Sequence, residues 1–267
     1  MPIICDYHWH TPLCQHATGP MEAYVKRAIE LGLREVGFSD HNPLPRGLGA
    51  NVRMTEAELD GYVNRVVELQ SQYRGKIDVR LGLEMDYVEG LEPYLTAQLA
   101  RYPWDYVIGS VHYLDAECLQ SAWPNNYTGD ASRLYGPYLA LIRQLAASGL
   151  CDIIGHFDVP KRSGCLPTAA EADDITRTLQ AIAKAGICVE INTSGYRHPE
   201  LPHPQPYPTL PLVEQVLALG IPLVVNSDAH APEQVGLRFT EVDAWLRRHG
   251  CRQLARFAHR QRDYYAL

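Results

Sequence analysis

The stretch from residue 3 to residue 41 decides the fold, and it reads IICDYHWHTPLCQHATGPMEAYVKRAIELGLREVGFSDH. Its first apolar run, Ile3–Tyr7, predicts a strand, and Met21–Leu31 has the apolar spacing of a helix. Gly32 follows that helix as a C-terminal cap, and Glu35–Ser39 predicts a second strand. A strand, a helix and a strand in this order predict two parallel strands joined by a helical crossover.

The same alternation continues along the chain. Seven runs predict strands, at Ile3–Tyr7, Glu35–Ser39, Ile77–Leu83, Tyr106–Val111, Asp152–Ile154, Ile187–Ile191 and Ile221–Val225. Helical spacing recurs between them, at Met21–Leu31, Glu56–Tyr73, Glu92–Arg101, Ser132–Ala147, Ala170–Ala185 and Leu210–Leu219. A closed or nearly closed α/β barrel explains seven such units better than two domains do, and we predict one domain over 1–267. An open doubly wound sheet is the alternative, but no GxGxxG sequence follows the first strand.

Composition narrows the class of protein. The chain has 267 residues, of which 46% are hydrophobic, and this excludes a disordered or fibrous chain. The net charge of −7 argues mildly against nucleic acid as the main partner. We expect no secretory signal and no membrane span, because the first residues lack a basic and an apolar region and no apolar run approaches ~18 residues. The seven cysteines are scattered without a CxxC pair, which favours a reducing cytoplasm over a disulfide framework.

Two segments depart from the alternation. Six prolines between Pro199 and Pro211 predict an ordered loop over the site, with a polyproline ligand for another domain as the alternative. Near the C-terminus Arg252, Arg256 and Arg260 have the spacing of one helix face, which we interpret as a solvated face rather than a nucleic-acid patch.

Histidines and carboxylates follow the predicted strands, at the point where each strand ends. His8 and His10 are two residues apart, so both side chains can reach one ion, and Asp228 and His230 repeat this spacing after the seventh strand. The carboxyl ends of parallel barrel strands converge on one face. We therefore predict one metal centre from nine residues: His8, His10, His16, His41, Glu84, His112, His156, Asp228 and His230.

This donor set suits two or three ions that share a bridging ligand. Imidazole and carboxylate donors suit Zn²⁺, Mn²⁺ or Fe²⁺. Cys5 and Cys14 are near the first pair of histidines but out of its spacing, and we interpret both as structural thiols.

At these residues the sequence resembles the PHP (polymerase and histidinol phosphatase) family. The matching motifs are His8-Trp-His10 with His16, Ser39-Asp-His41, Gly82-Leu-Glu84, Ser110-Val-His112, Gly155-His156 and Asn226-Ser-Asp-Ala-His230. The monofunctional histidinol-phosphatase branch is matched more closely, over Asp6–His16, Gly82–Tyr87 and Asn192–Arg197.

The resemblance implies a distorted seven-stranded barrel that holds three metals. The first would be bound by His8, His10, Glu84 and Asp228, and the second by Glu84 as a bridge with His112 and His156. The third would be held by His16, His41 and His230. Trp9 replaces the small residue found between the first two histidines in most members, and we expect it to point to the opposite face.

The implied activity is hydrolysis of L-histidinol phosphate to L-histidinol and phosphate in histidine biosynthesis, by in-line attack of a hydroxide that bridges the metals. Glu84, Asp228 and Arg197 are the predicted catalytic residues. Arg197 is the first choice for a phosphate fork, followed by Lys161 and Arg162 and then by Arg53.

Other side chains around the predicted site have looser assignments. His198 and His203 protonate the leaving oxygen, contact the substrate or are ordinary loop residues, and Asp40 and Asp158 are candidates to orient the histidines. The candidate walls of the substrate pocket are Asp86, Tyr87, Trp123 and Tyr196.

Two alternative functions remain open at this point. One is another phosphoesterase of the same family, such as a nucleotide phosphatase or a nuclease, and the other is a metal-binding regulatory module without turnover. The expected partner is a small phosphate ester rather than nucleic acid or a membrane, and a homodimer is left open as the oligomeric state.

Overall fold

The barrel is formed by seven parallel strands with the chain order β1 to β7. The computed structural model describes residues 3–114, 129–198 and 204–267. Its barrel strands are β1 (Cys5–Asp6), β2 (Glu35–Phe38), β3 (Asp78–Asp86), β4 (Tyr106–Ser110), β5 (Ile153–Ile154), β6 (Cys188–Asn192) and β7 (Leu223–Asn226). The prediction of an α/β barrel is confirmed.

Seven helices connect and follow these strands. They are α1 (Met21–Leu31), α2 (Glu56–Gln72), α3 (Glu92–Leu99), α4 (Ser132–Ser148), α5 (Ala169–Ala185), α6 (Leu210–Ala218) and α7 (Phe239–Arg248). The first six end within two residues of the predicted bounds, whereas α7 was not predicted. Within the described residues, no helix combines the length and apolarity needed to cross a bilayer.

The barrel closes between the first and last strands just beyond their carboxyl ends. The backbone N–H of His10 donates to the carbonyl of Ala229 at 2.9 Å, and the N–H of Ala229 donates to the carbonyl of His8 at 3.0 Å. These two bonds form a parallel bridge between Trp9 and Ala229. The residues that complete the barrel therefore include His8 and His10 and directly flank Asp228 and His230, the residues with predicted metal-binding side chains.

Tyr106 fills the barrel interior one layer below this closure. Its hydroxyl lies 2.5 Å from the carbonyl oxygen of Tyr7 and 3.1 Å from that of Phe38. Gly37 and Gly82 face the ring, and a Cβ atom at either position would overlap it. The two glycines are required by this close approach, since any side chain would displace the tyrosine.

A β-hairpin covers the amino end of the barrel. Its antiparallel strands are β8 (Gln253–Ala258) and β9 (Gln261–Ala266). The N–H of Phe257 donates to the Tyr7 hydroxyl at 3.2 Å, and the N–H of His259 donates to Asp105 at 3.1 Å. Tyr7 and Asp105 belong to the first strand run and the start of the fourth, so the hairpin closes the end opposite the predicted site.

The hairpin corrects the prediction of a basic helix face at the C-terminus. Arg256 forms a cross-strand ion pair with Asp263 at 2.7 Å, on the exposed side of the hairpin. Arg260 lies in the turn, where its guanidinium contacts Asp152 at 2.9 Å just before β5. The helical spacing of the arginines was therefore misleading. Arg256 and Arg260 do not lie on one helix face; they belong to a hairpin and form ion pairs that stabilise it.

Candidate active site

The two pairs of residues with i, i+2 spacing meet at the closure of the barrel. His8 and His10 are buried, and Trp9 between them points away and packs on Phe38, with 5.4 Å between the ring centroids. Asp228 follows β7 with a positive φ of 51°. Its Oδ1 lies 3.2 Å from His10 Nε2 and 3.7 Å from His8 Nε2.

Glu84, on β3, lies at the centre of the cluster with its two oxygens facing different imidazoles. Oε2 lies 3.3 Å from His8 Nε2, 3.4 Å from His10 Nε2 and 2.9 Å from His41 Nδ1. Oε1 lies 3.0 Å from His156 Nε2 and 3.5 Å from His112 Nε2. One carboxylate thus faces two separate groups of nitrogen donors, which is the geometry that a bridging ligand requires.

The remaining predicted ligands lie beside the first group. The ring of His16 is 4.8 Å from that of His230 and 5.7 Å from that of His41, measured between centroids. His10 stacks on His230 with 4.1 Å between centroids. The structure therefore brings all nine predicted residues into one cluster, at the carboxyl end of the barrel.

The cluster leaves buried polar atoms without a hydrogen bond of acceptable geometry. These atoms include His8 Nε2, His41 Nδ1, Glu84 Oε2 and Asp228 Oδ1. Buried polar atoms are normally hydrogen-bonded. Here nitrogen and oxygen atoms face one another across about 3 Å, and a cation between them would satisfy the lone pairs of both. The donor set of imidazole and carboxylate groups thus fits divalent metal ions.

Charge within the cluster keeps the carboxylates ionised. Burial opposes ionisation of Glu84, but His41, His8 and His112 outweigh it and hold the pKa of Glu84 well below its ordinary value. Burial lowers the pKa of His41 to about 4, a shift that Glu84 opposes and the nearby His10 and His112 support. A neutral His41 is the form that can bind a metal ion.

Three carboxylates lie behind three of the imidazoles, on the side away from Glu84. Glu190 Oε1 is 2.7 Å from His8 Nδ1, and Asp40 Oδ1 is 3.4 Å from His10 Nδ1. Asp86 contacts Nδ1 of His112 and is itself paired with Arg53 at 2.6 Å. With Nδ1 engaged in this way, the Nε2 atoms are left to face the centre of the cluster.

The prediction for these outer carboxylates was right for Asp40 and wrong for Asp158. Asp158 pairs with Lys161 at 3.0 Å and accepts the N–H of Thr209 at 2.9 Å, so it anchors a loop instead of orienting an imidazole. Glu190 was missed, although a single acidic residue within the apolar run Ile187–Ile191 was a usable signal. Asp86 was considered only as a pocket wall, although it lies two residues after Glu84 and so shares its face.

A cavity of about 570 Å³ opens above the cluster. Metal-site residues form its floor, and its walls include Arg53, Tyr113, Arg162, His198 and Tyr207. Of the four residues predicted to contact phosphate, Arg53 and Arg162 therefore line this cavity. His203 and Trp123 lie outside the described residues, and Asp86, Tyr87 and Tyr196 are not among the described residues that line the cavity.

Arg197 and Lys161 make other contacts. The Arg197 guanidinium donates to the carbonyl oxygens of Ser227 at 3.2 Å and Asp228 at 2.8 Å. The ammonium of Lys161 donates to the carbonyl of Pro206 at 2.5 Å and lies 4.4 Å from the centre of the Tyr207 ring. Both cations thus hold loops around the cavity, and neither is among the described residues that line it.

Comparison with known proteins gives consistent matches over nearly the whole chain. The family model described as PHP domain matches residues 6–194, and the model described as PHP-associated matches residues 216–247. A protein of Deinococcus radiodurans named "Probable histidinol-phosphatase" is 40% identical over 97% of this chain and 98% of its own length. The "Histidinol-phosphatase" of Bacillus subtilis is 28% identical over 91% of this chain and 98% of its own length.

A solved structure is similar in fold. It is the histidinol phosphate phosphatase of Lactococcus lactis subsp. lactis, in complex with Zn, L-histidinol and phosphate. The TM-score is 0.82 at 20% sequence identity, over 97% of this chain and 98% of that one. At 20% sequence identity, this similarity shows that the two proteins share the same fold.

Proposed function

The chain belongs to the PHP domain family, and from that premise we propose that it is a metal-dependent phosphatase that hydrolyses L-histidinol phosphate to L-histidinol and phosphate. The substrate is proposed because the Deinococcus radiodurans relative, at 40% identity over 97% of this chain, is named for this activity. The Lactococcus lactis protein of the same fold binds Zn, L-histidinol and phosphate. One domain over residues 1–267 performs the reaction in this proposal, since the hairpin packs on the barrel and its buried side chains, such as Leu254 and Phe257, belong to the core of the barrel.

The position of Glu84 is the observation that carries the proposal. Its two oxygens face separate groups of imidazoles at 2.9–3.5 Å. We assign the first ion to His8, His10, Glu84 and Asp228, and the second to Glu84, His112 and His156. His16, His41 and His230 would hold a third ion. Zn²⁺, Mn²⁺ and Fe²⁺ all suit these donors.

Divalent ions bound here would supply positive charge beside the phosphate oxygens and lower the pKa of water towards neutrality. The chain's own residues do the remaining work. Arg162 and Arg53 line the cavity above the floor, where a guanidinium can donate two hydrogen bonds to one phosphate. We rank Arg162 first, because Arg162 is exposed to solvent where it lines the cavity, whereas only 2% of Arg53 is exposed.

Arg197 has a different role in this proposal from the phosphate fork expected from the sequence. Its guanidinium donates to the carbonyls of Ser227 and Asp228, so it holds the loop that presents the Asp228 carboxylate. His198 lines the cavity wall and is the proposed donor of a proton to the leaving oxygen of histidinol.

The decisive experiment compares phosphate release from L-histidinol phosphate, mononucleotides and single-stranded DNA, together with elemental analysis of the purified protein. We expect two or three divalent ions per chain and the highest kcat/KM on L-histidinol phosphate. Faster hydrolysis of a nucleotide or of DNA would favour another phosphoesterase of the family. Bound metal without turnover of any ester would favour a regulatory module.

The state of the cysteines supports a proposal about the compartment in which the enzyme works. The six cysteines within the described residues, Cys5, Cys14, Cys151, Cys165, Cys188 and Cys251, form no disulfide. We propose that the protein meets its small phosphate ester in a reducing cytoplasm, as the cysteine pattern predicts.

A further inference from the structure

Glu190, on β6, is fully buried and lies directly behind the metal-site cluster. We propose that Glu190 is a positioning residue that fixes the ring of His8, so that His8 Nε2 faces the ion assigned to His8, His10, Glu84 and Asp228. This inference rests on the proposed metal-dependent function and adds to it a residue that the family motifs quoted above do not include.

The place of Glu190 in the barrel gives the first argument. Six of the seven barrel strands present at least one of the nine predicted ligands at or just beyond their carboxyl ends, and β6 presents none. Glu190 instead reaches His8 of the first strand from the sixth, with 2.7 Å between Oε1 and Nδ1. The strand without a ligand thus supplies a carboxylate to the side of a ligand that faces away from the cluster.

The other contacts of Glu190 extend this support to neighbouring strand ends. Oε2 accepts the backbone N–H of His156 at 2.9 Å and the amide of Asn192 at 3.0 Å. Oε1 also accepts the amide of Asn226 at 2.8 Å. Asn226 in turn accepts the N–H of Tyr7 at 2.7 Å through its own carbonyl oxygen. One carboxylate therefore links the ends of strands β1, β5 and β7.

The chemistry of imidazole explains why this contact matters. A neutral imidazole carries one N–H and one lone pair on its two nitrogens. If Nδ1 donates its proton to Glu190, the lone pair is on Nε2, which lies 3.3 Å from Glu84 Oε2 and 3.7 Å from Asp228 Oδ1. Three groups of lone pairs then face one point, which is favourable only with a cation between them. Glu190 thus selects the tautomer that can bind the ion.

The test compares Glu190→Gln with Glu35→Gln. Glu35 is also a buried carboxylate, but it lies at the amino end of the barrel and accepts bonds from Tyr7 and Arg80. We expect Glu190→Gln to weaken Zn²⁺ binding by about 10- to 100-fold, as measured by competition with a chelating dye without substrate. Glu35→Gln is expected to lower Tm and to leave Zn²⁺ affinity and activity at the wild-type values.

Equal Zn²⁺ affinity in the two variants would overturn the inference, because Glu190 would then have only a structural role. Since affinity is read without substrate, this result is distinct from a failure of the proposed activity: a protein that binds Zn²⁺ but does not hydrolyse L-histidinol phosphate still tests Glu190.

A second measurement uses the wild-type protein and is unaffected by misfolding of a variant. Long-range ¹H–¹⁵N correlation of the zinc-loaded protein reports which nitrogen of each histidine carries a proton. We expect His8 to be protonated at Nδ1 and bound through Nε2. A proton on Nε2, or coordination through Nδ1, would contradict the inference.

Discussion

The backbone N–H of Ala229 donates to the carbonyl oxygen of His8 at 3.0 Å, so the last hydrogen bonds that close the barrel lie at predicted metal-binding residues and their direct neighbours. Closure and the site therefore share the same few residues. Ions that hold His8 and Asp228 together would also hold the first and last strands together, because these side chains project from the two joined segments.

Removal of the ions should consequently destabilise the whole barrel. A ligand that binds only the folded state at about 100 times its Kd adds about 2.7 kcal/mol to the free energy of unfolding. We expect a chelator to lower Tm by several degrees and Zn²⁺ to restore it, as measured by scanning calorimetry. An unchanged Tm after verified removal of the metal would show that closure of the barrel does not depend on ion binding.

Glu84→Gln should weaken the binding of more than one ion at once. Glutamine keeps the size of the side chain but has a single oxygen and no charge, so it cannot face both groups of imidazoles as an anion. We expect kcat to fall by at least about 100-fold, a larger loss than for one outer-sphere contact, and the metal content to fall by more than one ion per chain. Elemental analysis checks the metal content, and the exposed Glu89→Gln serves as the control. Loss of only one ion would argue against a bridging role.

Arg162→Ala should weaken substrate binding while the metal site stays intact. A hydrogen bond to a charged group contributes about 1.5–3 kcal/mol, so KM for L-histidinol phosphate should rise roughly 10- to 100-fold. Metal content should not change, since Arg162 lines the cavity wall above the floor. The exposed Arg177→Ala on α5 is the matched control, and steady-state kinetics gives the readout. Wild-type KM in Arg162→Ala would remove the phosphate contact from the proposal.

Arg197→Ala should behave differently from Arg162→Ala. Loss of its bonds to the carbonyls of Ser227 and Asp228 frees the loop that presents the Asp228 carboxylate. We expect a lower metal content and a kcat reduced by about 10- to 100-fold, with a smaller change in KM. The reverse pattern, with a raised KM and full metal content, would show that Arg197 grips phosphate as the sequence alone suggested.

Arg260→Ala should destabilise the protein in a way that depends on pH. Burial raises the pKa of Asp152, and Arg260 opposes that rise, so removing the arginine should raise this pKa further. When the pKa of a carboxyl is higher in the folded than in the unfolded state, the free energy of unfolding falls as pH rises through the range between the two pKa values. The variant should therefore lose about 1–3 kcal/mol near pH 7, and less near pH 4, where Asp152 takes up a proton.

Urea unfolding at the two pH values measures this difference. Arg256→Ala is the matched control on the same hairpin, because its partner Asp263 is exposed and such surface pairs contribute about 0–1 kcal/mol. A loss that is equal at both pH values would show that the charge of Asp152 is not involved.

The barrel and the clustering of the site residues could be predicted because both follow from local signals. Apolar periodicity locates parallel strands, and parallel strands in a barrel bring their carboxyl ends together. His8 and Asp228 are 220 positions apart in the chain, yet His8 directly follows one predicted strand and Asp228 comes three positions after the end of another, so both could be placed at the same end.

The C-terminal hairpin could not be predicted in the same way. His259 and Arg260 form its turn with φ values of 52° and 58°, a conformation for which Asn-Gly is the usual sequence signal. Without that signal, the regular spacing of Arg252, Arg256 and Arg260 favoured a helix. Pairing and burial of the strands decide the conformation here, and both depend on the barrel above them.

The contacts of long polar side chains could not be predicted from the sequence either. Arg197 follows β6 at the site end, and only its contacts reveal that it faces the carbonyls of Ser227 and Asp228. The acidic residue Glu190 could have been noticed within its apolar run, but its partner could not, since His8 is 182 positions away. A pattern along one strand gives the face of a residue and not the atom that it meets across the barrel.

Trp9 offers a built-in optical probe of the site. It joins His8 and His10 through the main chain, and its indole is buried against Phe38 and Tyr24. Any shift of the two imidazoles as ions enter must move the environment of this ring. Once the other three of the four tryptophans are replaced by phenylalanine, emission from Trp9 can follow ion loading in real time without an added dye.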